Sequence, residues 1–212
     1  KMPDTTRFLL IGNTLSLDFV NTEIVAGGEP LDLLAAFADF VDWTVATNLL
    51  QISQAEKIIA GWDGKTTAES VLAEAKELRK TLRQVFVGLT QGKPPGETAI
   101  AAINRELNNQ SGAIEIRATE TGFEKLYRAD YEHPRRLLSP IAESAADLLC
   151  YGDLAMIKKC ENPLCVLYFY DTTKNHKRRW CSMTGCGNRH KAAAFYQRQR
   201  EKLKVANRKK HK

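Results

Sequence analysis

Four cysteines stand in two C-x4-C pairs, Cys160 with Cys165 and Cys181 with Cys186, and fifteen residues separate the pairs. That is the general plan of a structural zinc site, because zinc takes four ligands tetrahedrally and holds thiolates at roughly 2.3 Å. Each pair supplies one edge of the tetrahedron from a tight loop, and Asn162-Pro163 and Thr184-Gly185 are turn formers suited to such loops. The four-residue gap is longer than the common two-residue knuckle, so the spacing also admits two disulfides or an iron–sulfur cluster. A reducing compartment disfavours the first, and basic surroundings disfavour the second. Four thiolates leave no open position for a reacting water, so the expected cofactor is one structural Zn2+ ion and not a catalytic one.

The segments around the cysteines predict a small module. Val166–Tyr170 reads as a strand and Asp171–Asn175 as a turn, with Arg178-Arg179-Trp180 leading back to Cys181. That predicts a hairpin hinged at the metal. Gly187 can take a positive φ and Asn188 can cap a helix. Residues 189–204 contain no Gly or Pro and fit a helix of about 16 residues, roughly 24 Å long. A hairpin followed by a helix that begins at the last ligand is a treble-clef-like finger. Phe195 and Tyr196 are expected to pack on the hairpin aromatics, and Arg208–Lys212 to form an unstructured tail.

Charge divides the chain at the same place. Residues 158–212 hold 16 Lys or Arg against three acids, a charge of +13, while the remainder holds 15 against 22, a charge of −7. An acidic body with a strongly basic end points to a polyanionic partner. On a helix, Arg189, Gln197 and Arg200 share one face, whose guanidinium and amide groups suit guanine and adenine edges in a DNA major groove. The expected nucleic-acid residues are therefore Lys177, Arg178, Arg179, Arg189, Gln197 and Arg200. Arg178 and Arg179 carry a second reading, as structural charges offsetting the −2 of a four-thiolate zinc site.

Before residue 158 the chain reads as mostly helical. Phe8–Asn13 is expected as a short strand, while the mixed period of Leu15–Thr22 leaves strand and helix open. Asp32 is expected to cap a helix carrying Leu33, Leu34, Phe37, Phe40 and Val41, and Ser53-Gln54-Ala55-Glu56 reads as a capping signature. Residues 67–91 are the clearest helix, with apolar residues recurring at three- and four-residue steps. A second helix is expected over 97–108, then a hairpin of 113–118 with 122–127. A last apolar helix runs from Pro134 or Pro140 through Leu154 and Ile157, with Cys150 buried in it. The fold class is mainly α with small β elements (α+β), divided into a helical body (1–157) and a finger (158–212).

Two sets of residues also carry a family resemblance. Cys160–Cys165, Phe169-Tyr170-Asp171, Arg178–Met183 and Cys186-Gly187-Asn188-Arg189 resemble the CGNR zinc-finger family, with the namesake motif intact. Gly12–Thr22 looks like the opening of the ABATE domain that usually precedes that finger. The resemblance implies a bacterial, stress-linked transcription regulator whose finger binds DNA. RNA or ribosome binding is the alternative for a basic zinc module, and an enzyme in the body with an accessory finger is a third. No Gly-rich phosphate loop or nucleophile motif supports catalysis, and His133, His176 and His190 stand apart from any such set, so no enzyme is expected. Asp18, Asn21 and Thr22, polar residues in an apolar segment, read either as turn and cap chemistry or, with Arg79, as an effector pocket. A homodimer through the body is a further expectation. The opening residues carry no secretory apolar stretch and no run is long enough for a membrane span, so a cytoplasmic protein without membrane contact is expected.

Overall fold

A computed structural model of the chain describes residues 4–109, 112–120, 122–129, 131 and 133–210. Helix α1 (Leu15–Val20) forms where the sequence left helix and strand open. Thr14 Oγ1 accepts from Leu17 N at its start, and Leu17, Phe19 and Val20 are fully buried. The strand expected over Phe8–Asn13 does not form. That segment is irregular because it turns sharply onto α1: a Cβ on Gly12 would lie 2.7 Å from Leu17 Cβ, and Asn13 takes φ 65°. Strands β1 (Glu23–Ala26) and β2 (Glu29–Asp32) make a two-residue hairpin whose Gly27 and Gly28 both have positive φ, as a type I′ turn requires.

Asp32 ends β2 and does not cap the next helix, correcting the expectation for it. Its carboxylate is taken by the buried Arg79, while α2 (Phe37–Ala46) starts five residues later with Asp39 accepting from Ala36 N. Helix α3 (Ile52–Trp62) follows, its first turn closed by Gln54 Oε1 on Gln51 N. Helix α4 (Thr66–Leu89) carries the stripe Val71, Ala75, Leu78, Leu82, Val85 and Phe86 into the core. Phe19, Phe40 and Trp43 cluster beside it with ring centroids 5.0–6.3 Å apart.

Helix α5 (Glu97–Leu107) and the hairpin of β3 (Gly112–Thr119) with β4 (Gly122–Ala129) lie where the pattern placed them. A 3-10 turn at Pro134–Leu138 leads into α6 (Ser139–Tyr151), which stops short of the expected Ile157. Gly152 is extended, and Asp153 caps a separate 3-10 turn at Leu154–Met156. Cys150 is exposed, contrary to expectation. The buried face of α6 is Ile141, Ala142, Ala145 and Leu148, and Cys150 lies nine residues, about half a revolution, from Ile141.

Strands β5 (Ile157–Lys159) and β6 (Tyr168–Tyr170) pair antiparallel, Ile157 with Tyr170 and Lys159 with Tyr168. This corrects the expected hairpin: the partner of β6 precedes Cys160, and residues 177–179 join no ladder. Cys160 N donates to Leu167 O, so the first cysteine loop is itself the hairpin's turn. A division at 157/158 falls inside β5. Ile157 and Tyr168 belong to the body's core, while Phe169, on the opposite face of β6, belongs to the cysteine cluster's. Helix α7 (Asn188–Lys210) ends the described chain and runs past the expected stop at Lys204 into the segment expected to be unstructured. No helix among the described residues is long and apolar enough to cross a membrane.

Candidate metal centre

The first cysteine loop is wound by Asn162. Its Oδ1 accepts from Leu164 N (3.1 Å), its carbonyl accepts from Cys165 N (2.8 Å), and its Nδ2 donates to Cys186 Sγ (3.2 Å). In the second loop Ser182 Oγ accepts from Gly185 N, and a single π-helical turn (Met183–Gly187) runs straight into α7. The four sulfurs lie within 4.8 Å of one another, all from buried residues. Cys165 and Cys181 are 3.8 Å apart at sulfur. A tetrahedron with bonds of 2.3 Å has edges of about 3.8 Å, so the cluster has the dimensions and donor set for one zinc ion.

The electrostatics of the bare thiols agree. The hydrogen bond from Cys181 draws Cys165 down to about 5, and the same contact pushes Cys181 upward. Burial raises Cys160. Neighbouring thiolates therefore suppress one another's ionisation, and a divalent cation is what lets all four ionise together. Cys160, Cys165, Cys181 and Cys186 form the zinc site, and a four-thiolate shell leaves the ion a structural role.

Arg178, which carried both a nucleic-acid and a structural reading, is half-buried against this centre. Its guanidinium stacks on Phe169, 4.0 Å from the ring centre, and donates to the carbonyls of Cys181 (2.6 Å), Trp180 (3.1 Å) and Ile11 (3.1 Å). Arg179 is exposed but paired with Glu161 (2.7 Å) and lies over the Trp180 ring. Lys177, Arg189, Gln197 and Arg200 are exposed, with Gln197 donating to Glu201 on the same helix. Phe195 and Tyr196 do not pack on the hairpin. They are 51% and 65% exposed and meet each other edge to face, because α7 leaves the finger after its last ligand. His190 is the exception near the helix start, 4.7 Å from the Trp180 ring.

Asp18, Asn21, Thr22 and Arg79 direct their polar groups inward. Asn21 pairs with the Tyr168 backbone in both directions, accepting from N (2.9 Å) and donating to O (2.8 Å). Asp18 accepts from Gly12 N at 2.7 Å, and burial lifts its carboxyl to about 6 despite that bond and the nearby Arg178. Thr22 receives Arg79, which also forks onto Asp32 at 2.7 and 2.9 Å. These contacts join the four residues to other parts of the same chain.

They also build a seam that sequence reasoning missed. Tyr170 N donates to Gly12 O, Asn13 Nδ2 donates to Tyr170 O, and Arg83 joins Val20 O and Glu23 to Val166 O. Asp171, read from sequence as turn chemistry, is buried and tied to Lys158, Thr173 and Arg178 N. Burial opposes ionisation there, yet those bonds hold it below the usual carboxylate range.

A helical body clamped along a β-hairpin to a four-cysteine finger defines a zinc-finger protein. Comparison with family models matches residues 13–152 to ABATE, described as "Putative stress-induced transcription regulator", and residues 156–199 to the CGNR zinc finger. The chain belongs to the ABATE family and carries a CGNR zinc finger. No curated protein matches it.

Proposed function

We propose that this chain is a DNA-binding transcription regulator that uses zinc to aim α7 into the major groove, with no chemistry at the metal or in the body. One observation carries the reading. Helix α7 starts two residues after the last ligand, and from Asn188 to Lys202 every residue except Ala194 is exposed. Arg189, Lys191, Arg198, Arg200 and Lys202 lie along that stretch with no ion pair among the described residues. A helix that buries no face draws little stability from packing, and a row of uncompensated cations suits phosphates.

Fluorescence anisotropy of the zinc-loaded chain on duplex DNA, with structured RNA as competitor, tests this. The expected result is preference for the duplex and an affinity that falls with a log–log salt slope of roughly −0.9 per phosphate neutralised. Stronger binding to the RNA would transfer the same basic helix to an RNA-associated role. Absence of salt-dependent binding to either would remove the reading.

A further inference from the structure

We propose that Tyr196 is a specificity-determining residue of α7, its ring meeting a thymine methyl group on the floor of the major groove. The inference rests on the DNA-binding reading and adds to it which base the helix selects. Tyr196 follows Arg189 by seven residues and precedes Arg200 by four. Helical steps place it about 20° from the first and about 40° from the second, so its ring belongs to the face those arginines share. A side chain on a helix leans back over the preceding turn. Here that turn holds only Ala192 and Ala193 on the same side, so no larger neighbour screens the ring.

Tyr196 keeps 65% of its surface exposed and meets Phe195 edge to face, with ring centroids 5.8 Å apart. Phe195 points about 100° away from that face, beside Lys191 and Lys202, and braces the tyrosine ring from the side. Neither ring packs on the body or the finger, so burial in the chain's own core does not account for the pair.

The chemistry of the groove selects the partner. The major groove is wide enough for an α-helix, and the cations along α7 complement the phosphates on either side of it. Within a duplex the base faces are covered by stacking. The edges turned to the major groove are hydrogen-bonding groups, except for the C5-methyl of thymine. A ring carried to the groove floor between Arg189 and Arg200 therefore finds one kind of apolar partner there. Unpaired bases would offer it their faces instead.

Selection from a random duplex pool on the full zinc-loaded chain, followed by anisotropy on the enriched sequence, tests the assignment. Thymine is expected at a fixed position. Replacing it with deoxyuridine removes the methyl group alone and should weaken the parent chain about four-fold. Tyr196→Ala should bind the thymine duplex at least about four-fold more weakly than the parent and no longer distinguish thymine from uracil, whereas Tyr196→Phe should keep the distinction. Neither change removes a charge, so the salt slope should stay that of the parent. The position is exposed, and equal melting temperature and zinc content establish that each variant is folded. An alanine variant that still distinguishes the two duplexes overturns the proposal, as does an enriched sequence without a fixed thymine; the DNA-binding reading survives both. Tighter, Tyr196-dependent binding to one unpaired strand of that sequence assigns the ring to base stacking and also overturns it. Enrichment of no duplex at all counts against the proposed function and removes this inference with it.

Discussion

Asn21 gives Tyr168 the two hydrogen bonds that a neighbouring strand would give, although it follows a helix and no strand lies there. Replacing it with Ala leaves a buried N–H and a buried carbonyl unpaired. Asn21→Ala should therefore cost about 2–4 kcal/mol in urea denaturation of the zinc-loaded chain. Asp18 behaves in the opposite way. Its folded pKa of about 6 lies above its ordinary 3.8, so the folded state binds its proton more tightly. That contribution is fully present below the ordinary value and is lost as pH rises through about 6. Asp18→Asn keeps an acceptor for Gly12 N and removes the buried charge. The variant's gain over the parent should grow between about pH 4 and 6 and level off above that. A constant difference across that range would refute this role. The arginines divide similarly: Arg178→Gln should lower the melting temperature, whereas Arg189→Gln, at an exposed position, should stay within about 0.5 kcal/mol of the parent. The sequence raised a structural reading for Arg178 and Arg179 from their closeness to the cysteines, but the carbonyls that engage Arg178 lie beyond what residue type shows.

Among the elements, α4 and the cysteine loops were readable because each rests on residue type at fixed spacing. A 24-residue helix repeats its apolar stripe many times, and a tetrahedral site demands four ligands, which four cysteines in two close pairs can supply. Strands β5 and β6 have three residues each, too few to show a period, so the true hairpin stayed hidden behind the more aromatic-looking one. The seam was less legible still. Asn21, Asn13 and Arg178 bind backbone atoms 147, 157 and 167 positions away, and a carbonyl or N–H belongs to every residue alike. Helix α7 was foreseen from its charge and lack of Gly and Pro, but Phe195 and Tyr196 were not foreseen as exposed, since their type alone suggests burial. Removing α7 after Asn188 should leave the chain's melting temperature nearly unchanged, because that helix buries so little. A fall comparable to that of Asn21→Ala would show hidden packing.

At the scale of the molecule, zinc and body are linked through β6, which carries Tyr168 into the body's core and Phe169 into the finger's. Chelation should therefore unfold the finger and also lower the stability of the body, seen as loss of near-ultraviolet signal from Phe19, Phe40 and Trp43 at a lower temperature. A body that melts identically with and without zinc would mean two independent units. Under the proposed DNA-binding function, the charge division sets a basic helix apart from an acidic body. The most direct test is anisotropy on duplex DNA across a salt series, comparing the parent chain, the Arg189→Gln/Arg200→Gln double variant and the zinc-free chain. Uncompensated cations on a zinc-aimed helix predict lower affinity and a salt slope shallower by roughly 2 for the double variant, with binding much reduced when zinc is removed. Unchanged affinity and slope in the double variant would contradict the role of that face.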